Sequence, residues 1–268
     1  MQGPERGSGP WRVRAGEALC ARRESPRTER ISRLTTVPST DGHEPLSPAI
    51  GLGVLHLFCR SRATVDVPAL EQAEHAARKA GLTVVTVALL GHKADVGFMV
   101  LGPDLWELRR FQTEVVRAGL DPTWSYVSLT EVSEYASGVP EELKHARLYP
   151  SLPPEGKRAF CFYPMSKRRS GTDNWYRLPY GARESLMRSH GGVGRSFRGR
   201  VLQLVTGSTG LDDWEWGVTL FATRPEDLKE CVYRMRFDEA SARFAEFGPF
   251  YTGIVGALDE VLERGAAR

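Results

Sequence analysis

The sequence lacks the features that mark a membrane or secreted protein. Its longest apolar run, Leu82 to Leu90, contains two threonines and is much shorter than the roughly 20 residues that span a bilayer. The N-terminus has no continuous apolar segment like the core of a secretory signal. We therefore expect a cytoplasmic protein without a membrane span.

Paired metal-binding and redox motifs are also missing. The chain has neither a CxxC pair nor a CxxCH site for covalent haem attachment. The HExxH motif is absent, and the other histidines show no ligand spacing with His190. We therefore expect no multi-residue zinc site. Reduced thiols are the simplest interpretation of the four cysteines, which are Cys20, Cys59, Cys161 and Cys231.

The body of the chain lacks an excess of basic residues. Residues 1–34 hold eight Arg, no Lys and four Glu, a net charge of +4. Because the whole chain carries +3, the remaining residues carry −1. A nucleic-acid binder would be expected to carry a basic stripe with interleaved aromatics on its folded body. We therefore expect no nucleic-acid partner.

The hydrophobic pattern divides the chain into an extension and two similar halves. Residues 1–48 are rich in Gly, Pro, Ser, Arg and Glu, which predicts a disordered N-terminal extension. The first half has predicted strands at 53–59, 83–90, 96–101 and 124–129, with helices at 67–80 and 103–118. The second half repeats this order, with strands at 159–163, 200–206 and 216–222 and helices at 179–190 and from Pro225.

The repeat extends to individual residues. Asp95-Val-Gly-Phe-Met-Val-Leu resembles Glu215-Trp-Gly-Val-Thr-Leu-Phe, and each is followed by a proline that opens a helix. The sequence thus predicts an α+β fold in which two duplicated ferredoxin-like modules, residues 49–148 and 149–268, form a dimeric α+β barrel. The Pro-rich stretch 149–156 is the predicted linker.

His190 is the first candidate functional residue. It falls at the end of a helical pattern with Leu186 and Met187, and Gly191-Gly192 after it predict a left-handed helix end. A neutral imidazole on a last helical turn can ligate haem iron. The alternative is a helix-capping histidine stabilised by the helix dipole.

Three further segments in the second half stand out. Residues 162–169 begin as a strand, are interrupted by Pro164 and end in three successive cations, and the alternative is a solvated basic turn. Residues 173–176 could be turn chemistry with a core aromatic. Residues 207–213 have the composition of a phosphate loop, but no Lys and no helix follow, so we interpret them as a hairpin.

Five blocks in the second half together resemble the coproheme decarboxylases of the chlorite dismutase superfamily. The resemblance covers about residues 50–262 and is densest after Arg147. The blocks are Phe162-Tyr-Pro-Met-Ser-Lys-Arg-Arg, Asp173-Asn-Trp-Tyr, His190-Gly-Gly-Val-Gly-Arg, Gly210-Leu-Asp-Asp-Trp-Glu-Trp-Gly-Val-Thr-Leu-Phe and Met235-Arg-Phe-Asp-Glu-Ala-Ser-Ala-Arg-Phe.

The resemblance implies a homopentamer with the porphyrin in the C-terminal half. His190 is then the proximal iron ligand, Tyr163 the redox-active tyrosine and Gln203 the distal residue. The match at Arg147 spans a linker whose length differs from the family's. The other residues implied to line the porphyrin or to bind its propionates are Pro164, Met165, Ser166, Lys167, Arg236 and Ser241, together with Arg147.

The implied reaction is a peroxide-dependent decarboxylation. Iron coproporphyrin III would be both substrate and redox centre, hydrogen peroxide the oxidant and haem b the product. Four propionates on this substrate require cations and hydroxyls that form charge-assisted hydrogen bonds. Tyr163 would become a radical beside a propionate, remove a β-hydrogen and release carbon dioxide, leaving a vinyl group.

Two other functions are weighed against this one. Chlorite dismutases share the fold and the proximal histidine but carry an arginine at the distal place, where this chain has Gln203, and a neutral amide holds an oxychlorine anion less well than a guanidinium does. A haem carrier would need His190 but not Tyr163 with Lys167. In some relatives a histidine from another segment fills the distal place, and His145 is the nearest candidate here.

Overall fold

The computed structural model describes residues 44–265, which form one compact unit. The predicted extension lies outside the described residues, apart from its last five positions. Within this range the strands are β1 (Gly53–Ser61), β2 (Thr83–Leu89), β3 (Val96–Gly102), β4 (Leu120–Thr130), β5 (Ala159–Lys167), β6 (Val201–Gly207), β7 (Trp216–Ala222), β8 (Ala245–Phe247) and β9 (Tyr251–Gly256). The α-helices are α1 (Val67–Lys79), α2 (Leu105–Arg117), α3 (Glu141–Leu148), α4 (Tyr180–Arg195), α5 (Pro225–Met235), α6 (Glu239–Phe244) and α7 (Leu258–Gly265), with a 3-10 turn at Trp175–Arg177.

The strands form one antiparallel sheet that closes into a barrel. Its order is β7-β6-β4-β1-β3-β2-β9-β5-β8, and β7 also pairs with β5, which completes the ring. The first half contributes β4-β1-β3-β2 and the second contributes β9-β5-β7-β6, so the same ferredoxin-like order occurs twice. The two halves join where β2 pairs with β9 and where β4 pairs with β6. The predicted α+β barrel of duplicated modules is confirmed.

Local sequence signals account for the helices that cover the first half. The Asp66 carboxylate accepts a hydrogen bond from the backbone N–H of Ala69, and Asp104 does the same for Trp106, so both helices start at a side-chain cap. In α2, Leu108, Phe111 and Val115 form one buried stripe. These helices therefore start and face the sheet as their sequences predict.

Alternating residues of the strands supply two different cores. On β5, Phe160 and Phe162 point into the barrel, whereas Cys161 and Tyr163 lie on its outer face. The barrel interior also contains Phe58, whose ring stacks on that of Tyr251 with centroids 3.9 Å apart. The outer face of β5 therefore packs against the helical side of the second half.

The structure adds elements that the sequence pattern did not predict and moves one boundary. Helices α3, α6 and α7 and strands β8 and β9 were not predicted. Helix α4 was predicted to end at His190, but it continues to Arg195. Gly191 and Gly192 do not have positive φ angles. The first glycine after α4 with a positive φ is Gly199. The predicted left-handed cap after His190 is wrong, because the helix is continued through the glycine pair.

The module boundary at residues 148 and 149 stays a prediction. Among residues 44–265, no helix combines the length and the hydropathy needed to cross a bilayer.

Candidate functional site

His190 lies on α4, facing the start of α6. Its Nδ1 is 2.8 Å from Oδ2 of Asp238 and 3.5 Å from Oγ of Ser241. No described residue hydrogen-bonds Nε2. A carboxylate at Nδ1 places the ring proton there and leaves the lone pair of Nε2 outward, which is the arrangement of a metal-binding histidine held by an acidic partner.

Two opposite charges are buried behind this imidazole. The side chain of Asp238 is 1% exposed, and Lys167 is 6% exposed. Burial lowers the pKa of Lys167 to about 8, although the charges of Asp238 and Glu215 act to raise it. Burial also lowers the pKa of His190, against the effect of its hydrogen bond to Asp238. Burial therefore favours the neutral imidazole, the form that a metal ion can bind.

The outer face of β5, β7 and β6 forms the wall opposite α4. Strand pairing puts Tyr163 beside Val218, and Val218 beside Val205. The apolar side chain of Val205, on the sheet face that the helices of the second half pack over, is 43% exposed. Gln203 lies two residues away on the same face. This face therefore combines apolar side chains with the amide of Gln203 and the phenol of Tyr163, the mixture found in small-molecule sites.

Tyr163 is packed into this wall. Its ring stacks on Phe250 with centroids 4.5 Å apart, and Phe247 lies at 5.8 Å. Burial raises the pKa of the phenol, and the nearby Arg236 acts to lower it. The Arg236 guanidinium lies 4.6 Å from the centre of the Phe247 ring. A protonated phenol and an exposed cation thus lie close together.

Gln203 contacts the helices that cover the sheet. Its Nε2 donates a hydrogen bond to Sγ of Cys231 at 3.2 Å. The side-chain amide also lies against Gly194 of α4, where an added Cβ would be 3.7 Å from Nε2. The amide therefore faces the helix that carries His190, one turn beyond the imidazole.

Strand geometry separates the residues predicted as one porphyrin-lining stretch. Tyr163 and Met165 lie on the outer face, whereas Pro164 and Ser166 point to the other side of the sheet. The Ser166 hydroxyl accepts a hydrogen bond from the backbone N–H of Glu215. A continuous lining from Tyr163 to Lys167 is therefore not what β5 provides.

The other predicted ligand groups lie in different places. The Lys167 ammonium donates to the carbonyl of Ala240 at 3.0 Å and lies 4.5 Å from the centre of the Trp175 ring. Ser241 faces His190. Arg147 is exposed on α3. The structure thus places Lys167 and Ser241 with the histidine, and shows no contact that joins Arg147 to it within residues 44–265.

Asp238 is the functional residue that sequence reasoning missed. It lies inside the block Met235–Phe244 that carries part of the resemblance, but an aspartate before a helix reads as an ordinary cap. Its partner His190 is 48 residues away. Only the docking of α6 against α4 brings the two together.

The fold and the site define a class: an antiparallel α+β barrel with one carboxylate-held histidine on a helix that packs over the outer face of the sheet. This chain belongs to the chlorite dismutase family, whose model matches residues 60–256.

Solved structures of other proteins agree. A protein from Thermus thermophilus, described as a novel heme-binding protein, is 35% identical with a TM-score of 0.72, and the match covers 83% of this chain and 99% of that one. Chlorite dismutase from Candidatus Nitrospira defluvii, in its imidazole complex, is 20% identical with a TM-score of 0.66, covering 81% and 96%. The second likeness concerns the fold alone.

Proposed function

We propose that this protein decarboxylates two propionates of iron coproporphyrin III to vinyl groups, with hydrogen peroxide as oxidant, giving haem b. The observation that carries the proposal is the His190–Asp238 pair, whose Nε2 is hydrogen-bonded by no residue between 44 and 265, on a helix that packs over the sheet face holding Tyr163. A site of this composition fits an iron porphyrin because one neutral imidazole would hold the iron. The family and the heme-binding neighbour support the same ligand class.

The chain's own residues bind and orient the substrate. His190 would hold the iron through Nε2, and Asp238 fixes the ring by accepting the Nδ1 proton. Lys167 balances the buried carboxylate, because a lone buried charge is costly. Gln203 is the neutral amide we place on the distal side.

Tyr163 is the group proposed to act on the propionate. Bound iron porphyrin and hydrogen peroxide supply the oxidising power. Tyr163 gives up one electron and its phenolic proton, and then takes a hydrogen atom from the β-carbon of a propionate. For each propionate, one hydrogen peroxide and one proton are consumed, and one carbon dioxide, two waters and a vinyl group are formed.

Exposed cations would bind the other carboxylates. Arg236 lies beside Tyr163, where a propionate close to the phenol would need a counter-charge. Arg147 remains a proposed contact because its guanidinium is exposed on α3. Lys167 would support binding through its charge beside the His190–Asp238 pair, without contacting a propionate directly.

A haem-binding protein without turnover is the second candidate. It is favoured by the 35% identity to a protein described only as heme-binding. It would not require Tyr163 to be chemically competent. Chlorite dismutation is disfavoured because the resemblance assigns Gln203, a neutral amide, to the distal place where chlorite dismutases carry an arginine.

Incubation with iron coproporphyrin III and hydrogen peroxide, followed by mass spectrometry, tests the proposal. We expect two successive losses of carbon dioxide plus two hydrogens. Binding without mass loss would select the haem-binding alternative. A homopentamer, expected at five times 29.8 kDa in native mass spectrometry, and a cytoplasmic location are proposed on the same family resemblance.

A further inference from the structure

One hydrogen bond between described residues holds the side-chain amide of Gln203. Its Nε2 donates to Sγ of Cys231 on α5 at 3.2 Å. On its other side the amide lies against Gly194 of α4, where an added Cβ would be 3.7 Å from Nε2 and 3.9 Å from Oε1. Gly194 is four residues beyond His190, which corresponds to roughly 6 Å along the helix axis. The amide therefore lies about one helical turn along α4 from the proposed iron ligand.

Cys231 is a neutral partner for this amide. The residue is buried, and burial raises the pKa of its thiol to about 11, although the charge of Arg200 acts to lower it. A protonated thiol reacts slowly with peroxide, because the thiolate is the nucleophile. The sulfur can therefore continue to accept the N–H of Gln203 in a site that is proposed to meet hydrogen peroxide.

The hydrogen bond to sulfur distinguishes the two ends of the amide. Nε2 is anchored to Cys231, whereas Oε1 accepts a hydrogen bond from no residue between 44 and 265 and is not fully buried. A carboxamide oxygen accepts hydrogen bonds and cannot donate them. The unanchored end of Gln203 therefore favours a ligand that carries an O–H or N–H group over a bare anion, which the negative end of the carbonyl dipole repels.

We propose that Cys231 is a positioning residue for Gln203, which anchors Nε2 and leaves Oε1 as the end that meets a distal ligand. The inference rests on the proposed function, since it concerns the distal side of that site. The ligand selected is then a neutral hydrogen-bond donor, such as hydrogen peroxide, over an anion such as fluoride or chlorite. Cys231 thus acts on the choice of oxidant without touching it.

Fluoride binding to the complex with ferric coproporphyrin III tests this orientation, because fluoride accepts hydrogen bonds and cannot donate one. Cys231→Ala removes the anchor and frees the amide to turn its N–H groups toward the ligand. We expect the dissociation constant for fluoride, measured from the Soret band, to fall about two- to tenfold, the effect of one hydrogen bond. Cys231→Val also lacks an acceptor, fills more of the space of the sulfur and should behave alike. Cys231→Ser keeps an acceptor for Nε2 and should bind fluoride like the parent.

Cys161→Ala is the matched control. Cys161 is another buried thiol of the same hydrophobic cluster, and it hydrogen-bonds Thr252 instead of Gln203, so fluoride affinity should stay at the parental value. In a Gln203→Ala background, Cys231→Ala should no longer change fluoride affinity, because its effect runs through the amide. Parental fluoride affinity in Cys231→Ala and Cys231→Val would overturn the inference, and so would a change that persists in the Gln203→Ala background.

The two proposals fail in different ways. If the parent does not bind iron coproporphyrin III, the proposed function and the role of Cys231 both fall. If the parent binds and decarboxylates it while the Cys231 variants bind fluoride like the parent, only the role of Cys231 falls.

Discussion

Two tyrosines near the candidate site differ in what surrounds their hydroxyls. Tyr163 is buried against Phe247 and Phe250 on the sheet wall. Tyr176 donates a hydrogen bond to Oε1 of Glu215 at 2.6 Å, and that carboxylate also lies 3.6 Å from the Arg169 guanidinium. A phenol whose hydroxyl is held by a carboxylate is a poor candidate for attack on a ligand.

The first prediction concerns these two phenols. Tyr163→Phe should bind iron coproporphyrin III with at most a several-fold loss of affinity, because one hydrogen bond contributes about 0.5 to 1.5 kcal/mol. It should yield no vinyl product, since phenylalanine has no phenolic hydrogen to give. Mass spectrometry of the porphyrin measures this. Tyr176→Phe is the matched control and should keep most activity; the reverse pattern would assign the reaction to Tyr176.

The second prediction concerns the proximal carboxylate. Asp238→Asn should keep the shape of the pair but present a neutral amide to Nδ1 of His190, which weakens the imidazole as an electron donor to iron. We expect bound iron coproporphyrin to be easier to reduce, so its reduction potential should rise in spectroelectrochemistry. Glu239→Gln, at an exposed neighbouring position, is the control. An unchanged potential in Asp238→Asn would show that Asp238 does not act on the ligand.

The third prediction follows from the buried ammonium. Because the folded pKa of Lys167 is about 8 and the usual value is 10.5, the unfolded chain binds more protons between these values. The stability of the parent should therefore rise with pH from about 8 to 10.5, relative to Lys167→Met, by about 3 kcal/mol in total. Urea unfolding across this range measures the difference. Lys229→Met, at an exposed position on α5, should show no such slope.

At the scale of elements, the sequence predicted what depends on local pattern and missed what depends on docking. Strands β1 to β7 follow from periodicity, helices α1 and α2 from periodicity and caps, and helix α5 from the proline at its start. Helix α6 was missed because its buried residues Ala240 and Phe244 face α4, Trp175 and nearby loops instead of repeating a long stripe. Strand β9 was missed because Thr252 and Ile254 are exposed and because Gly253, which closely approaches Val87 and Ala88 of β2, gives no apolar signal.

Helix α4 shows the same limit within one element. A glycine pair after His190 predicts a helix end from local propensity alone. The structure continues the helix to Arg195, where Phe197 is buried and fixes the following turn. Tertiary packing therefore overrides a weak local preference, and the candidate ligand lies inside the helix instead of at its last turn.

The fourth prediction tests this helix boundary. Gly191→Ala should raise the free energy of unfolding by roughly 0.5 to 1 kcal/mol, the usual gain from replacing a helix-interior glycine. The added Cβ would be 3.4 Å from the flexible end of Arg195. Gly199→Ala is the contrasting variant and should destabilise, because φ there is +84°. If Gly191→Ala lowers the free energy of unfolding in urea titration, the helix would instead end in a left-handed cap at the glycine pair.

At the scale of the whole molecule, the two halves share one interior. His56 of β1 is fully buried, and its Nε2 lies 2.9 Å from Oγ1 of Thr219 on β7. Ser128 of β4 donates to Thr206 of β6 at 2.8 Å. Burial lowers the pKa of His56 to about 3, so this contact is between neutral groups. Each half therefore supplies partners that the polar groups of the other half require.

The last prediction separates structural repeats from independent domains. Fragments 44–148 and 149–265 should each fail to show a cooperative thermal transition by circular dichroism. Alone, each would expose the barrel interior and two unpaired strand edges, those of β2 and β4 in the first fragment and those of β6 and β9 in the second. Mixed in equal amounts, they should assemble into a one-to-one complex that native mass spectrometry detects. The complex should unfold cooperatively and bind iron coproporphyrin III. Cooperative unfolding and porphyrin binding by fragment 149–265 alone would instead show that the C-terminal module is an autonomous domain.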